Sequence, residues 1–248
     1  MSISALIIAR NEESSIEDAL ASLNFVDEIV VVLDRSVDKT KEKAKKFTKI
    51  IYSGSWTCEG KRRNFGLSKC KSDWILEIDS DEVVSKKLAD EILFKTNTKR
   101  IDFYYIPLIN YVSMKQIRNG WMACLAPEGK FLLFRKNSKL WKEGSVHPDY
   151  VLKGKKGDVF KNHLDHYMSK SLSDLILRFN RNTSLYAQDL KSKKINLIKL
   201  FSMRKIFSRF IKSFLFKKGY KAGGQGILIS ILCSIYPFIS AIKSKYDD

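Results

Sequence analysis

The sequence predicts an α/β protein: an α/β/α sandwich around a mixed, mostly parallel sheet, followed by a basic amphipathic helical region at the C-terminus. Three observations predict it. Short apolar runs alternate with helical patterns through the first hundred residues, the order that builds parallel strands joined by crossover helices. Asn11, Asp34 and Asp79 each follow closely on such an apolar run. Between Lys191 and Lys221 lie eleven Lys and Arg residues and no Asp or Glu, in a chain whose net charge is +18.

The elements follow in order. Residues 3–9 read as a strand, and 14–23 as a helix with Ser14 or Ser15 capping it. Residues 28–33 are a second apolar strand, then comes a polar turn and a helix over 38–47. A short strand over 49–52 leads into a loop containing Gly and Ser over 53–60, then a helix over 61–69. Trp74, Ile75, Leu76 and Ile78 form a run of buried-strand type that ends abruptly in Asp79, Asp81 and Glu82, before a helix over 86–94 that starts near Ser85. After residue 100 the pattern changes to strands over 103–112 and 130–135, with a loop over 141–148. Residues 171–190 are helical, 195–218 form a basic helix, and 227–242 are apolar with Pro237 interrupting them. No internal repeat or low-complexity linker is visible, so composition divides the chain at 1–190 and 191–248.

In open sheets of this type ligands sit beyond the carboxyl ends of the strands, which puts Asn11, Asp34 and Asp79 on one edge. Residues i and i+2 of a strand share a face, so Asp79 and Asp81 could converge. Adjacent carboxylates repel, and a hard divalent cation relieves that repulsion. Mg²⁺ favours one or two carboxylates plus phosphate oxygens, which suits a metal–diphosphate complex. The plainer alternative is an acidic turn capping the next helix.

Composition narrows the classes. Hydrophobic residues at 44% and aromatics at 12% over 248 residues exclude a disordered chain. Cys58, Cys70, Cys124 and Cys233 make no Cys-x-x-Cys pair, the usage of a reduced intracellular protein. The chain opens on a strand pattern without a signal-peptide core, so secretion is not expected. The C-terminal basicity points to a polyanionic surface. Ile195, Ile198, Phe201, Ile206, Phe210 and Phe214 recur at helical spacing with cations between them, which suits a helix in an anionic membrane interface. Residues 227–242 are shorter than the roughly 20 residues of a spanning helix, so the expectation is a monotopic anchor, with a buried helix as the alternative. No nucleic-acid module signature is present, and nucleic acid is not an expected partner.

Four motifs occur in order: Ile7-Ile8-Ala9-Arg10-Asn11-Glu12; the run from Asp27 to Thr40; Lys61-Arg62-Arg63-Asn64-Phe65-Gly66; and Trp74-Ile75-Leu76-Glu77-Ile78-Asp79-Ser80-Asp81-Glu82. Together they resemble glycosyltransferase family 2, inverting nucleotide-sugar transferases with the Rossmann-like GT-A fold. Gly120-Trp121, Arg135, Val146-His147, His166-Tyr167, the 178–187 helix and the Gly-Tyr-Lys-Ala-Gly-Gly-Gln-Gly before the apolar segment are similar to the lipopolysaccharide-core β-glucosyltransferases.

The resemblance implies a nucleotide-sugar pocket lined by Asn11, Glu12 and Asp34, with Asp34 hydrogen-bonding uracil or ribose. In the family pattern the acidic residue falls where this chain has Leu33, and Asp34 comes one place later. Lys61, Arg62 and Arg63 could meet the diphosphate or a neighbouring carboxylate; Lys61 and Arg62 could equally form a solvated face. Asp79 would contact ribose or metal, and Asp81 would hold Mn²⁺ or Mg²⁺ as a Lewis acid against the leaving UDP. His166 would complete the metal shell or touch phosphate, whereas His163 reads as structural. An inverting transfer also needs a base. Related sequences carry a carboxylate after the position of His147, where this chain has Pro148; Asp149 is the candidate, with Glu143 in reserve. Trp121 could stack on a sugar or fill the core.

The expected enzyme moves a hexose, for instance glucose, from a UDP-sugar to a lipid-linked glycan such as a lipopolysaccharide or lipooligosaccharide core. It would work as a peripheral protein on the cytoplasmic face of the bacterial membrane. Two alternatives stay open: a sugar nucleotidyltransferase, which would normally begin with a Gly-rich phosphate loop, and a non-catalytic membrane binder on the same fold.

Overall fold

The computed structural model describes residues 1–98, 100–143, 148–192, 200 and 202–247. The features expected at Val146, His147, Lys193, Lys194, Ile195, Ile198, Lys199 and Phe201 lie outside the described residues. The chain forms two compact units, Met1–Leu108 with Gly129–His166, and Ile109–Glu128 with Tyr167–Asp248. This division differs from the compositional one at 190/191, because the helices before and after that point share one core.

In the first unit, β1 (Ile3–Ala9) is buried along its whole length. It lies parallel between β2 (Glu28–Asp34) and β4 (Trp74–Asp79), and β3 (Ile51–Gly54) extends β2 in parallel. Strands covered on both faces read as nearly continuous apolar runs, which is why these were visible in the sequence. Ala9 pairs with Leu33 and Ile8 with Asp79, so the carboxyl ends of β1, β2 and β4 finish level.

Beyond β4 the sheet turns antiparallel: β8 (Gly129–Arg135) pairs with β4, and β6 (Phe103–Val112) with β8. The dipeptide strand β5 (Glu82–Val83) pairs antiparallel with β11 (Leu164–Ser169). The sheet order is β3-β2-β1-β4-β8-β6-β11-β5, with β7 (Lys115–Ile117) on β6. The sheet is therefore mixed in halves and not mostly parallel. No helix lies between β6 and β8 to make the crossover that a parallel neighbour needs. The expected loop over 141–148 opens inside a second small sheet, β9 (Lys139–Trp141) paired with β10 (Tyr150–Leu152).

Alternate residues of β1 feed two cores. Ile3, Ala5 and Ile7 join Ile16 and Leu20 of α1 (Ile16–Ala21), Ala44 of α2 (Thr40–Ala44), and Leu88 and Ile92 of α4 (Lys86–Thr96). Leu6 and Ile8 join Val30, Val32 and the α3 (Glu59–Lys69) residues Phe65 and Leu67 on the other face. The two-residue side-chain period of a strand produces this sandwich. Gly66 lets α3 approach closely: a Cβ there would lie 2.7 Å from Leu6 Cδ1.

The helices α1 and α2 are shorter than expected. Ser15 sits at the first cap position without capping; its Oγ donates to Glu12 Oε2 at 2.9 Å instead. Ser85 does cap α4, its Oγ accepting from the Leu88 N–H at 3.3 Å.

The second unit packs α5 (Leu172–Ser192) and α7 (Gly223–Tyr246) around Trp121, Leu175, Phe179, Ile229, Leu232 and Tyr236, with α6 (Met203–Ile211) lying against α7. Trp121 is a core residue, 1% exposed, with its Nε1–H donated to the Ile117 carbonyl at 2.8 Å. The basic helix expected over 195–218 is the shorter α6, which passes into a wide turn at Lys212–Phe216.

Pro237 does not interrupt the apolar segment: α7 runs through it for 24 residues. Proline removes the N–H that would bond the carbonyl four residues earlier, that of Cys233. Arg209 Nε fills the vacancy, donating to the Cys233 carbonyl at 3.2 Å, and the Cys124 thiol lies 3.8 Å from the same oxygen. One face of α7 is buried, and Ile227 and Ile231 remain exposed. By length and composition α7 could cross a membrane, but half of its most apolar window is buried within the protein.

Candidate active site

The carboxyl edge of the parallel strands carries most of the sequence-derived candidates. After β1, Asn11 adopts a left-handed φ of 56°, a conformation Asn tolerates better than most residues. Its Oδ1 accepts the Val37 N–H at 2.9 Å, and its own N–H is donated to Ser36 Oγ at 3.2 Å. Glu12 donates its N–H to Thr40 Oγ1 at 2.8 Å, and Glu13 its N–H to Asp38 Oδ2 at 3.0 Å. The Asn11-Glu12 motif and the 36–40 stretch thus zip two loops together at the strand ends.

Asp34, at the end of β2, is 3% exposed. It accepts from Arg35 Nε at 3.0 Å, Arg62 Nη1 at 2.8 Å and the Trp56 N–H at 3.3 Å. Burial pushes its carboxyl up, but the Arg35 hydrogen bond, the Arg62 charge and the Trp56 N–H outweigh it and hold Asp34 below the ordinary range. Asp34 is therefore the anchor of two guanidinium groups, which can meet an anion in their turn.

The Lys61–Gly66 motif acquires a separate reason at nearly every position. Lys61 is exposed and lies 3.3 Å from Glu143 Oε1. Arg62 holds Asp34, and its Nε is buried with no hydrogen-bond partner among the described residues. Arg63 reaches into the sheet edge, its Nη1 2.8 Å from Glu77 Oε1 and its Nη2 3.1 Å from Asp79 Oδ1, with Glu59 at 2.7 Å. Asn64 bonds both backbone groups of Trp141, at 2.9 and 3.0 Å, and so ties the start of the β9–β10 connection to α3. At Gly60 a Cβ would lie 1.9 Å from the Lys142 carbonyl oxygen, so only glycine allows this approach.

Sequence reasoning left three residues of the centre without a role: Glu77, Lys130 and Lys139. Glu77 and Lys139 are buried together, with Lys139 Nζ 2.8 Å from Glu77 Oε2 and Trp141 Nε1 donating to the same oxygen at 3.2 Å. Burial pushes the Glu77 carboxyl up, but Lys139 and Arg63 hold it net below its usual range; burial likewise lowers Lys139. Lys130 Nζ lies 2.6 Å from both Asp79 Oδ2 and Glu82 Oε1. Burial works against the charged form of Asp79, yet Lys130 and Arg63 hold its carboxyl well below the ordinary range. Glu82, fully buried and beside Asp79, is raised. The available signals were an acid in the middle of an apolar strand for Glu77 and a lysine entering one for Lys130.

The Asp79-Ser80-Asp81 turn is closed by Glu82, whose Oε2 accepts the Asp79 N–H at 2.8 Å. The β5–β11 pairing sets His166 opposite Glu82 and brings its Nε2 to 3.6 Å from Asp81 Oδ1. Asp81 and His166 are both nearly buried at that point. Among the described residues no group of three His, Cys, Asp or Glu side chains forms a metal cage. A carboxylate and an imidazole that converge in this way still fit Mn²⁺ or Mg²⁺, which take few protein ligands and complete their shells with phosphate and water. Asp79 fits that role less well, since both its oxygens face cations.

Asp149 is exposed, and its carbonyl accepts the Lys142 N–H at 2.7 Å. Asp149 and Glu143 flank the undescribed 144–147 stretch of the β9–β10 connection. His163 lies 3.5 Å from Asp165.

Comparison with known proteins supplies the context. Residues 4–145 match the profile described as Glycosyl transferase family 2. An uncharacterised glycosyltransferase of Rickettsia typhi is 30% identical over 255 residues, covering 98% of this chain and 86% of its own. The lipopolysaccharide core biosynthesis glycosyltransferase LpsC of Rhizobium meliloti is 26% identical over 265 residues, covering 97% and 91%. Among solved structures, glucosyl-3-phosphoglycerate synthase from Mycobacterium tuberculosis in complex with Mg²⁺ and UDP aligns at 22% identity and a TM-score of 0.37, over 44% of this chain and 43% of that one.

Proposed function

Because the chain belongs to glycosyl transferase family 2, and is therefore a glycosyltransferase, we propose that it moves a hexose from a UDP-sugar to a lipid-linked glycan of the lipopolysaccharide core type. The observation that carries this reading is the level carboxyl edge of β1, β2 and β4, where Asp79 and Asp81 lie among Arg63, Lys130 and His166. Such an edge offers both signs of charge: cations for a diphosphate and carboxylates for a divalent ion. The similarity to LpsC over nearly the whole chain supports the acceptor class. Family membership also answers the alternative of a nucleotidyltransferase.

In this mechanism Arg62 and Arg35, held in place by Asp34, meet the nucleotide side of the donor. Asp81 and His166 would hold Mn²⁺ or Mg²⁺, which when bound offsets the charge growing on the leaving diphosphate. Asp149 takes the acceptor hydroxyl proton, with Glu143 as the second candidate; Glu143 is paired with Lys61, which lowers its availability. Inversion follows if that base stands opposite the leaving group.

The membrane is reached separately. Met203 and Phe207 of α6 and Leu215 and Phe216 of the following turn are exposed, among Arg204, Lys205, Lys212 and Lys218. This composition suits the cytoplasmic, anionic face of a bacterial membrane. Asp81→Asn tests both halves together. Turnover with acceptor should fall on the order of a hundredfold or more, while flotation with anionic liposomes stays unchanged. Full turnover in this variant would overturn the assignment of Asp81.

A further inference from the structure

We propose that Lys130 is a resident cation of the active-site edge, which keeps Asp79 closed to a bare divalent ion and makes metal and nucleoside diphosphate bind together. The inference rests on the reading above that Asp81 and His166 are the metal's protein ligands.

Lys130 enters at the start of β8, the strand antiparallel to β4, so its ammonium arrives beside the end of β4. There Nζ lies 2.6 Å from Asp79 Oδ2 and 2.6 Å from Glu82 Oε1. The other oxygen of Asp79 faces Arg63 Nη2 at 3.1 Å. Glu82 is wholly buried, and its second oxygen accepts the Asp79 N–H. Both oxygens of Asp79 are thus engaged by fixed positive charge, and the lysine is itself gripped by a second carboxylate. Arg63 is fixed in turn by Glu59 and Glu77, so neither cation swings away at little cost.

The charges at this edge set the consequence. Asp79 faces both Lys130 and Arg63, Glu82 faces Lys130, and Asp81 faces His166. A bare divalent ion that approaches Asp79 finds both of its oxygens engaged and meets two cations within a few ångströms. A metal–diphosphate complex is different, because its phosphate oxygens neutralise the ion and give the Lys130 ammonium new partners. Each component therefore raises the affinity for the other, and by linkage the two factors are equal. Lys130 is a positioning residue in this account: it sets the order of assembly through Asp79.

The test counts free Mn²⁺ by electron paramagnetic resonance, with and without UDP, using wild-type protein, Lys130→Met, and Lys130→Met combined with Glu82→Gln. The double variant removes the buried charge that Lys130→Met alone would strand, so a folded protein is available if the single variant does not fold. Without UDP, Mn²⁺ should bind both variants on the order of tenfold more tightly than wild type, and the enhancement brought by UDP should shrink by a similar factor. Asp81→Asn separates the two layers of the reading. If the variants bind bare Mn²⁺ no more tightly, yet Asp81→Asn weakens Mn²⁺ binding in the presence of UDP, the role of Lys130 is refuted and the metal ligand stands. If Asp81→Asn leaves that binding unchanged, the metal assignment falls and the role of Lys130 falls with it.

Discussion

Glu77 shows how much of this site depends on one side chain. It is 1% exposed, and it holds Arg63, Lys139 and the Trp141 indole from the middle of β4. Removing one partner of a buried pair leaves an uncompensated charge, so Glu77→Gln should lower unfolding free energy by about 3–5 kcal/mol, measured by urea denaturation. The same side chains give stability a pH dependence. Asp34, Glu77 and Asp79 are all held below their usual range, so the folded state binds fewer protons than the unfolded chain at acid pH. Their contribution is complete above the unfolded carboxylate range near pH 4 and is lost as pH falls through the lower folded values. Glu82 is raised and acts in the opposite sense, its contribution present at low pH and lost as pH rises. Asp38 and Glu91 are lowered as well, so the lowered carboxylates outweigh Glu82 and the urea midpoint should hold from neutral pH to about pH 5 and fall below about 4. Glu82→Gln should steepen that fall; a shallower one would contradict the direction assigned to Glu82.

At the scale of elements, α7 is held straight through a proline by a group from another helix. A proline inside a helix costs about 3 kcal/mol, and Arg209 recovers part of this by donating to the stranded Cys233 carbonyl. Arg209→Met should therefore destabilise by about 1–3 kcal/mol, most visibly as faster amide exchange in α7; unchanged exchange there would show that the carbonyl needs no partner. This arrangement also explains why the sequence misled at Pro237: the compensating donor lies 28 residues away on α6. The parallel strands and the Asp79–Asp81 turn were legible because burial on both faces writes itself as apolar runs and abrupt acidic ends. The antiparallel half was harder to read. Its short strand β5, like β9 and β10 of the small second sheet, has too few residues for a period to emerge, yet β5 places His166 and β9 places Lys139. The Lys61–Gly66 motif was recognisable as a pattern, while the reasons for it, from Gly60 against Lys142 to Gly66 against Leu6, needed the tertiary contacts.

For the whole molecule, the compact units distribute the tasks unevenly. The first carries the carboxylate edge and its cations, and the second carries the exposed basic and apolar surface around α6. Neutralising Lys212 and Lys218 together should weaken liposome binding severalfold in proportion to the lost charge and leave UDP release in solution unaffected. Action of the β1, β2 and β4 edge on a UDP-sugar would be read out by following UDP release across a panel of UDP-sugars. The assays would contain Mn²⁺, Mg²⁺ or EDTA, and each would be paired with UDP binding by calorimetry. UDP should bind only when metal is present, and one sugar should release UDP slowly above the others, with EDTA abolishing both. Failure to bind UDP in the presence of either metal would overturn the role of this edge in donor binding.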